Sequence, residues 1–422
     1  MHIYFSGVGG VGIGPLAEIA HDAGYEVSGS DREASQMTAQ LTGRGISVSI
    51  GQSGDEIKAT HEDHPIDLLV HTAALPDNHP ELAFAKEHGI RCVKRDELIA
   101  QIIREKNLKL IAVAGTHGKT STTGMLVWAF EQLGIPVSYS VGTTLSFGPS
   151  GAYDEKSEYF VYECDEYDRN MLHFEPSLTL ITSLDYDHPD TYKNEHVYKD
   201  AFVEFIRQSG YTLLWEKDLR YLGVPDIAAN YEAYDDLMDL SPFSLVGDHV
   251  RQNAFLVKRA LLHILLEPAP EERLMSILNA FPGTGRRFEQ LAENLYSDYG
   301  HHPAEIAATL QMAREISDHV VLIYQPHQNI RQHEIRDQYA DCMTLADEIY
   351  WLPTYLSRED PNLPVLTPEE LSAKLTNVAS VHVADMNDSL WQSIEAARSA
   401  GKLVLVMGAG SVDTWVRSRL KP

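Results

Sequence analysis

The residues best suited to chemistry are Gly115-Thr116-His117-Gly118-Lys119-Thr120-Ser121. They follow the apolar run Leu110–Ala114 and precede an apolar-periodic segment from Met125 to Leu133. That order is strand, glycine turn, helix, which points backbone N–H groups and a helix N-terminus at a polyphosphate. Lys119 would reach the terminal phosphates and the Thr120 hydroxyl would sit on Mg²⁺. The full P-loop spacing is not met, because Val113 stands where its first glycine belongs, and the shorter G-x-x-G-K-T remains.

A second glycine turn, Gly7-Val8-Gly9-Gly10-Val11-Gly12, follows the apolar start of the chain, with Asp31 about twenty residues on. Any nucleotide pyrophosphate satisfies such a loop, a dehydrogenase cofactor included. Two nucleotide loops in one chain suggest ATP on one and a second diphosphate-bearing molecule on the other. Glu163-Cys164-Asp165-Glu166-Tyr167-Asp168 follows the apolar stretch Tyr159–Tyr162. Four carboxylates at a strand end call for a nearby cation, and Mg²⁺ accepts one or two of them plus phosphate oxygens. Glu163 is the expected metal ligand and the other three are expected to be mostly structural. A further apolar stretch, Leu178–Ser183, leads into Leu184-Asp185-Tyr186-Asp187-His188-Pro189-Asp190, where His188 is either a ligand or an orienting neighbour.

The elements that must position these residues alternate strand and helix. Strands are predicted at Ile3–Ser6, Glu26–Ser30, Leu68–His71 and Arg91–Lys94, with Arg104–Lys109 as a linker. Others fall at Tyr159–Glu163, Leu178–Ser183, Val320–Tyr324, Glu348–Leu352, Ser380–Val383 and Leu403–Met407. Segment 227–244 fits poorly and reads as an irregular connection. The expectation is an α/β protein of three domains with parallel sheets: a Rossmann-like domain at 1–107, a P-loop-type ATPase domain at 108–282 and a Rossmann-like domain at 283–422. With 34 basic against 61 acidic residues the net charge is −27, which disfavours nucleic acid and anionic membranes as partners. Three cysteines without a C-x-x-C pair, and no secretory or membrane-spanning pattern, point to the cytoplasm.

Taken in order, GTHGKTS, ECDEYD and DYDHPDTY resemble the central ATPase domain of the Mur ligases. Gly285-Arg286-Arg287-Phe288-Glu289, then Asp298-Tyr299-Gly300-His301-His302-Pro303, then Gln325-Pro326-His327, resemble the branch that joins L-alanine to UDP-N-acetylmuramate. The resemblance implies an ATP- and Mg²⁺-dependent amide ligase of peptidoglycan precursor synthesis, working through an acyl phosphate, as a monomer or weak homodimer. It implies that Gly115, Thr116, His117, Gly118, Lys119, Thr120, Ser121, Asn253 and Arg287 bind ATP. Thr120, Glu163 and His188 are implied as metal ligands. Gly7, Gly9, Gly10, Gly12, Asp31, His71, Thr72 and Ala73 would hold the sugar nucleotide, and His327 and Arg331 the amino acid. Lys119, His188, Arg287, Asp298, His301 and His302 are the implied catalytic set, with one of the two adjacent histidines catalytic and the other packed. Arg331 reads equally as a solvated surface charge.

The chain departs from the family pattern at four places. Val250 replaces the first asparagine of H-N-x-x-N, and Gln328 stands where some members have arginine. The central domain is short before His249. Tyr167 also occurs in the related ligase of cell-wall recycling, which attaches a whole tripeptide to the same nucleotide. That ligase, and a nucleotide-binding homologue without activity, are the alternatives.

Overall fold

The computed structural model describes all residues except 11, 73–74, 77, 189–190, 225–226, 228, 266–268, 358 and 421–422. Three sheets are present. The first joins β1 (His2–Ser6), β2 (Glu26–Asp31), β3 (Ser47–Ile50), β4 (Leu68–His71) and β5 (Arg91–Lys94), all parallel, in the order β3-β2-β1-β4-β5. The order reverses between β1 and β4, so a crevice opens beyond the carboxyl end of β1, where Gly7 begins the first glycine turn.

The second sheet holds β6 (Lys109–Ala114), β7 (Ser138–Ser140), β8 (Gly151–Ala152), β9 (Tyr159–Glu163), β10 (Leu178–Ile181), β11 (Thr212–Trp215) and β12 (Tyr231–Tyr234). Its order is β12-β11-β10-β6-β9-β7-β8, parallel except for the β7/β8 pair. The central strand β6 is apolar along its length because both faces are covered, and Leu110 to Ala114 are fully buried. Its neighbours β9 and β10 end in the two acidic segments, so the phosphate turn and both segments open at one sheet edge.

Two local expectations need correction. The linker expected over Arg104–Lys109 is shorter, residues 106–108, because the helix Arg95–Glu105 runs into it and β6 starts at Lys109. Segment 227–244 is not wholly irregular, because Tyr231–Tyr234 pairs in parallel with β11. A four-residue edge strand needs little apolar sequence, and Glu232 on it is paired with Arg259 at 3.1 Å.

The third sheet contains β13 (Glu289–Ala292), β14 (Leu295–Asp298), β15 (Val320–Tyr324), β16 (Glu348–Trp351), β17 (Val381–Val383) and β18 (Leu403–Met407), ordered β13-β14-β18-β15-β16-β17. Only β13 and β14 pair antiparallel within it. Alternation sorts its central strands onto two cores. Val320, Leu322, Tyr324, Leu403, Leu405 and Met407 face one, and Val321, Ile323, Val404 and Val406 face the other.

The chain forms two compact units. Residues Met1–Asp239 with Asn253–Phe281 hold the first two sheets, whose apolar side chains merge into one core. Residues Leu240–Gln252 with Pro282–Pro422 form the other unit around the third sheet. No helix among the described residues is long and apolar enough to cross a membrane.

Candidate active site

In the first unit the phosphate turn leads from β6 into the helix Lys119–Leu133. Gly118 caps that helix at φ 86°, and a Cβ on Gly115 would lie 2.6 Å from the Thr182 hydroxyl and 2.7 Å from the Ser183 carbonyl. Glycine at 115 thus answers to close approach by the end of β10. The neighbouring hydroxyls fix the turn. Thr182 Oγ1 donates to the His117 carbonyl at 2.5 Å, Thr116 Oγ1 donates to the Asp185 carbonyl at 2.8 Å, and the His117 N–H donates to Ser183 Oγ at 3.2 Å. Ser121 lies partly exposed in the first helical turn. Asn253 is buried, and its side-chain amide stands beside Gly118, where a Cβ would lie 3.0 Å from Nδ2.

Lys119 is the electrostatic centre of this region. Its Nζ donates to the Gly115 carbonyl at 2.7 Å, the Thr116 carbonyl at 3.3 Å and Glu166 Oε2 at 2.7 Å. Burial works against the ammonium, but Glu166, Asp165 and Glu163 outweigh it and raise its pKa. Burial pushes the Glu166 carboxyl up, with Lys119 the largest opposing influence. Glu166 is 1% exposed and also receives the Tyr192 hydroxyl on its backbone carbonyl at 2.6 Å. Glu166 is one of the three carboxylates expected to be mostly structural. The fold instead puts it directly on the lysine, and nothing in an acidic tetrad distinguishes it beforehand.

Thr120 Oγ1 donates to Glu163 Oε1 at 2.9 Å, and the other Glu163 oxygen accepts the Gly142 N–H at 3.2 Å. A hydroxyl and a carboxylate are hard oxygen donors of the kind Mg²⁺ takes. His188 has φ 58°, and its Nε2 lies 3.6 Å from Glu166 Oε1 and 3.8 Å from Asp187 Oδ2. Asp165, Glu166 and His188 offer ligand atoms within 4.8 Å of one another. The oxygen donors of both sets fit a hard dication, whereas the His188 imidazole is a softer nitrogen donor. Tyr167 packs edge-on against His188 at 5.3 Å.

The glycine turn after β1 is held differently. The Gly9 N–H donates to Asp31 Oδ2 at 2.7 Å, and a Cβ on Gly9 would lie 2.9 Å from both Asp31 Oδ2 and Ser35 Oγ. The N–H groups of Gly7 and Val8 both donate to the Ser30 carbonyl at 2.9 Å, and Gly10 donates to Gly7 at 3.1 Å. Below the turn, buried Glu81 accepts from Tyr4 at 3.0 Å, from Ser30 at 2.5 Å and from Ser6. Gly12 ends the turn just before the helix Gly14–Asp22. His71 closes β4 with Nδ1 3.1 Å from the Thr72 carbonyl, and Thr72 Cγ2 lies 3.6 Å from where a Gly7 Cβ would stand. Ala73 lies outside the described residues, as do Val11, Ala74, Pro189 and Asp190.

The second unit carries the remaining candidates. Asp298, at the end of β14, accepts from the Phe288 N–H at 2.8 Å and the Gly300 N–H at 2.7 Å. Burial raises its pKa to about 6, against the pull of Arg287. It thereby pins the segment 286–288, in which Arg286 and Phe288 both hold positive φ, at 55° and 49°. Arg286 and Arg287 lie over the Tyr299 ring at 4.7 and 5.1 Å.

The adjacent histidines divide the work. His302 caps the helix Pro303–Ile316, taking the Ala304 N–H on Nδ1 at 3.4 Å, while Glu305 closes the box. His301 holds Arg331: its Nε2 accepts from the guanidinium and its Nδ1 lies 3.3 Å from the Tyr299 carbonyl. Those partners suit the neutral ring, and burial lowers its pKa to about 4. His327 meets His301 edge-on at 5.4 Å and stacks on Tyr355 at 5.7 Å. Arg331 is therefore a held cation in a histidine-lined cluster and not a loose surface charge.

The profiles described as Mur ligase family, catalytic domain, as Mur ligase middle domain, and as Mur ligase, glutamate ligase domain match residues 2–107, 113–224 and 286–410. A UDP-N-acetylmuramate–L-alanine ligase of Agathobacter rectalis is 32% identical, over 98% of this chain and 96% of its own. Among solved structures, the UDP-N-acetylmuramate–alanine ligase of Thermotoga maritima shares the fold at TM-score 0.75 and 24% identity, covering 100% of this chain and 98% of that one. A murein peptide ligase of Psychrobacter arcticus aligns at TM-score 0.67 and 22% identity, covering 100% and 98%.

Proposed function

Because this chain belongs to the Mur ligase family of ATP-dependent amide-forming ligases, we propose that it joins L-alanine to UDP-N-acetylmuramate. The observation that carries this reading is Lys119, partly buried in a glycine turn and faced by Glu163, Asp165 and Glu166. That arrangement suits phosphoryl transfer between anions, where catalysis is mainly positioning and charge stabilisation.

The lactyl carboxylate oxygen attacks the γ-phosphorus of ATP and ADP leaves, giving an acyl phosphate. The alanine nitrogen then attacks the acyl carbon, loses a proton, and phosphate departs with the former C–O bond. Turn N–H groups and Lys119 Nζ receive the phosphate oxygens. Thr120 and Glu163 would hold Mg²⁺, with His188 beside Asp165 and Glu166 as a second group. The metal would spread the charge of the phosphates. Glu166 fixes the lysine head group through its 2.7 Å contact. The glycine turn after β1, with Asp31, His71 and Thr72, is assigned to the sugar nucleotide. Arg331, oriented by His301, is assigned to the amino-acid carboxylate. Residues 1–107, 108–282 and 283–422 are the corresponding domains, and the working state is a cytoplasmic monomer or weak homodimer.

Phosphate release from Mg²⁺-ATP and UDP-N-acetylmuramate, with L-alanine, glycine, L-serine or the tripeptide as acceptor, tests the reading. Release with L-alanine well above the others is expected. Greatest release with the tripeptide, the acceptor of the recycling ligase that also carries Tyr167, would replace L-alanine. No release with any acceptor would sink the ligase assignment.

A further inference from the structure

The junction between β5 and the helix Arg95–Glu105 lies beside the first glycine turn. Three consecutive residues there, Lys94, Arg95 and Asp96, reach toward the second sheet. Lys94 pairs with Asp168, and Asp96 accepts the Tyr162 hydroxyl. Arg95 lies between them, its guanidinium 5.9 Å from the Tyr162 ring centroid. On the other side it meets the first glycine turn: a Cβ on Gly12 would lie 3.5 Å from Arg95 Nη1 and 4.0 Å from Cδ. Arg95 therefore stands where the turn assigned to the sugar nucleotide faces the sheet that carries Glu163 and Asp165.

A guanidinium has five N–H donors in a planar fork. Among the described residues, the one hydrogen-bonding or ion-pair partner found for Arg95 is Asp96 Oδ1, at a long 3.5 Å. Its side chain is 32% exposed, so it is laid down along the protein and not left to wander. Its Nη1 thus stands at the last glycine of the turn, shortly before the N-terminus of the helix Gly14–Asp22. Planar bidentate recognition of carboxylate or phosphate is what arginine does at such a place. In a chain of net charge −27, an anionic substrate needs such a local cation.

We propose that Arg95 binds anionic oxygens of the sugar nucleotide, those of the diphosphate or of the sugar-linked carboxylate. The assignment rests on the ligase reading above. It makes the β5–helix junction a substrate contact as well as a structural joint.

Titration calorimetry on the full chain with UDP, UDP-N-acetylglucosamine and UDP-N-acetylmuramate tests it in the wild type, R95Q, R95K and K94Q. R95Q should weaken UDP-N-acetylmuramate about tenfold or more, with R95K restoring part of the loss. A loss shared by all three ligands assigns the diphosphate, and a loss confined to UDP-N-acetylmuramate assigns the carboxylate. K94Q, which cuts the neighbouring contact to Asp168, should bind like the wild type. Wild-type affinity in R95Q would overturn the proposal, and so would an equal loss in K94Q, which would trace the effect to the joint itself. Failure of the wild type to bind UDP-N-acetylmuramate would instead refute the ligase reading.

Discussion

Two glycine turns in the first unit share a backbone plan and differ in how charge is supplied. Both follow the carboxyl end of a buried parallel strand, β1 or β6, and both open onto a helix. The turn after β1 is tied down by a carboxylate, Asp31 on the Gly9 N–H, and has no lysine of its own. The turn after β6 contains Lys119, tied to its own carbonyls and to Glu166, with Thr120 on Glu163 one residue on. The first arrangement suits holding a molecule that does not react at its phosphates. The second concentrates a cation and several carboxylates where charge must move, which is how a protein stabilises phosphoryl transfer.

Replacing Lys119 with alanine breaks the second turn and should spare the first. Turnover should fall about a thousandfold or more, with UDP-N-acetylmuramate affinity unchanged by calorimetry. A parallel loss of sugar-nucleotide binding would erase the distinction between the turns. Glu166→Gln is gentler: it keeps the shape but replaces the carboxyl oxygen that holds the lysine with an amide. A fall in kcat of about ten- to a hundredfold, again without change in UDP-N-acetylmuramate affinity, is expected. A wild-type kcat in that variant would return Glu166 to a purely structural role.

Thr120→Ala should raise the Mg²⁺ concentration for half-maximal phosphate release several-fold, on the order of 1 kcal/mol for one ligand contact. Removing the metal with a chelator should stop release in every variant. An unaltered Mg²⁺ requirement would take Thr120 out of the metal site. The smallest effect is expected at the other turn, where Asp31→Ala should weaken UDP-N-acetylmuramate about two- to threefold while leaving the KM for ATP alone. If ATP affinity shifts instead, the two loops have been assigned the wrong way round.

How much was legible varied with the range of the interaction. The strand–turn–helix around Lys119 could be read because all its parts are local: apolar residues 110–114, two glycines, then helical periodicity. The place of Asp31 at the end of β2, beside β1, could be read from a spacing that parallel strands impose on neighbours, but its bond to the Gly9 N–H could not. Segment 227–244 was misread because an edge strand of four residues with a charged member carries almost no periodic signal. Glu166 was hidden because three other carboxylates surround it, and only its burial against Lys119, 47 residues away, separates it from them. The two histidines after Asp298 resisted assignment for a similar reason, since a cap and an arginine holder have the same composition.

What the amino-acid order alone determined was the set of local devices: two phosphate-type turns, acidic strand ends, and the sequence of motifs that places the chain in its family. Turn and strand preferences are settled within a few residues, so they survive in a linear text. The tertiary structure alone decided which carboxylate meets Lys119, which histidine grips Arg331, and that Arg95 stands between a glycine turn and a neighbouring sheet. Those choices depend on strand order and on which side chains lose water together, and neither is encoded in the spacing of any one segment.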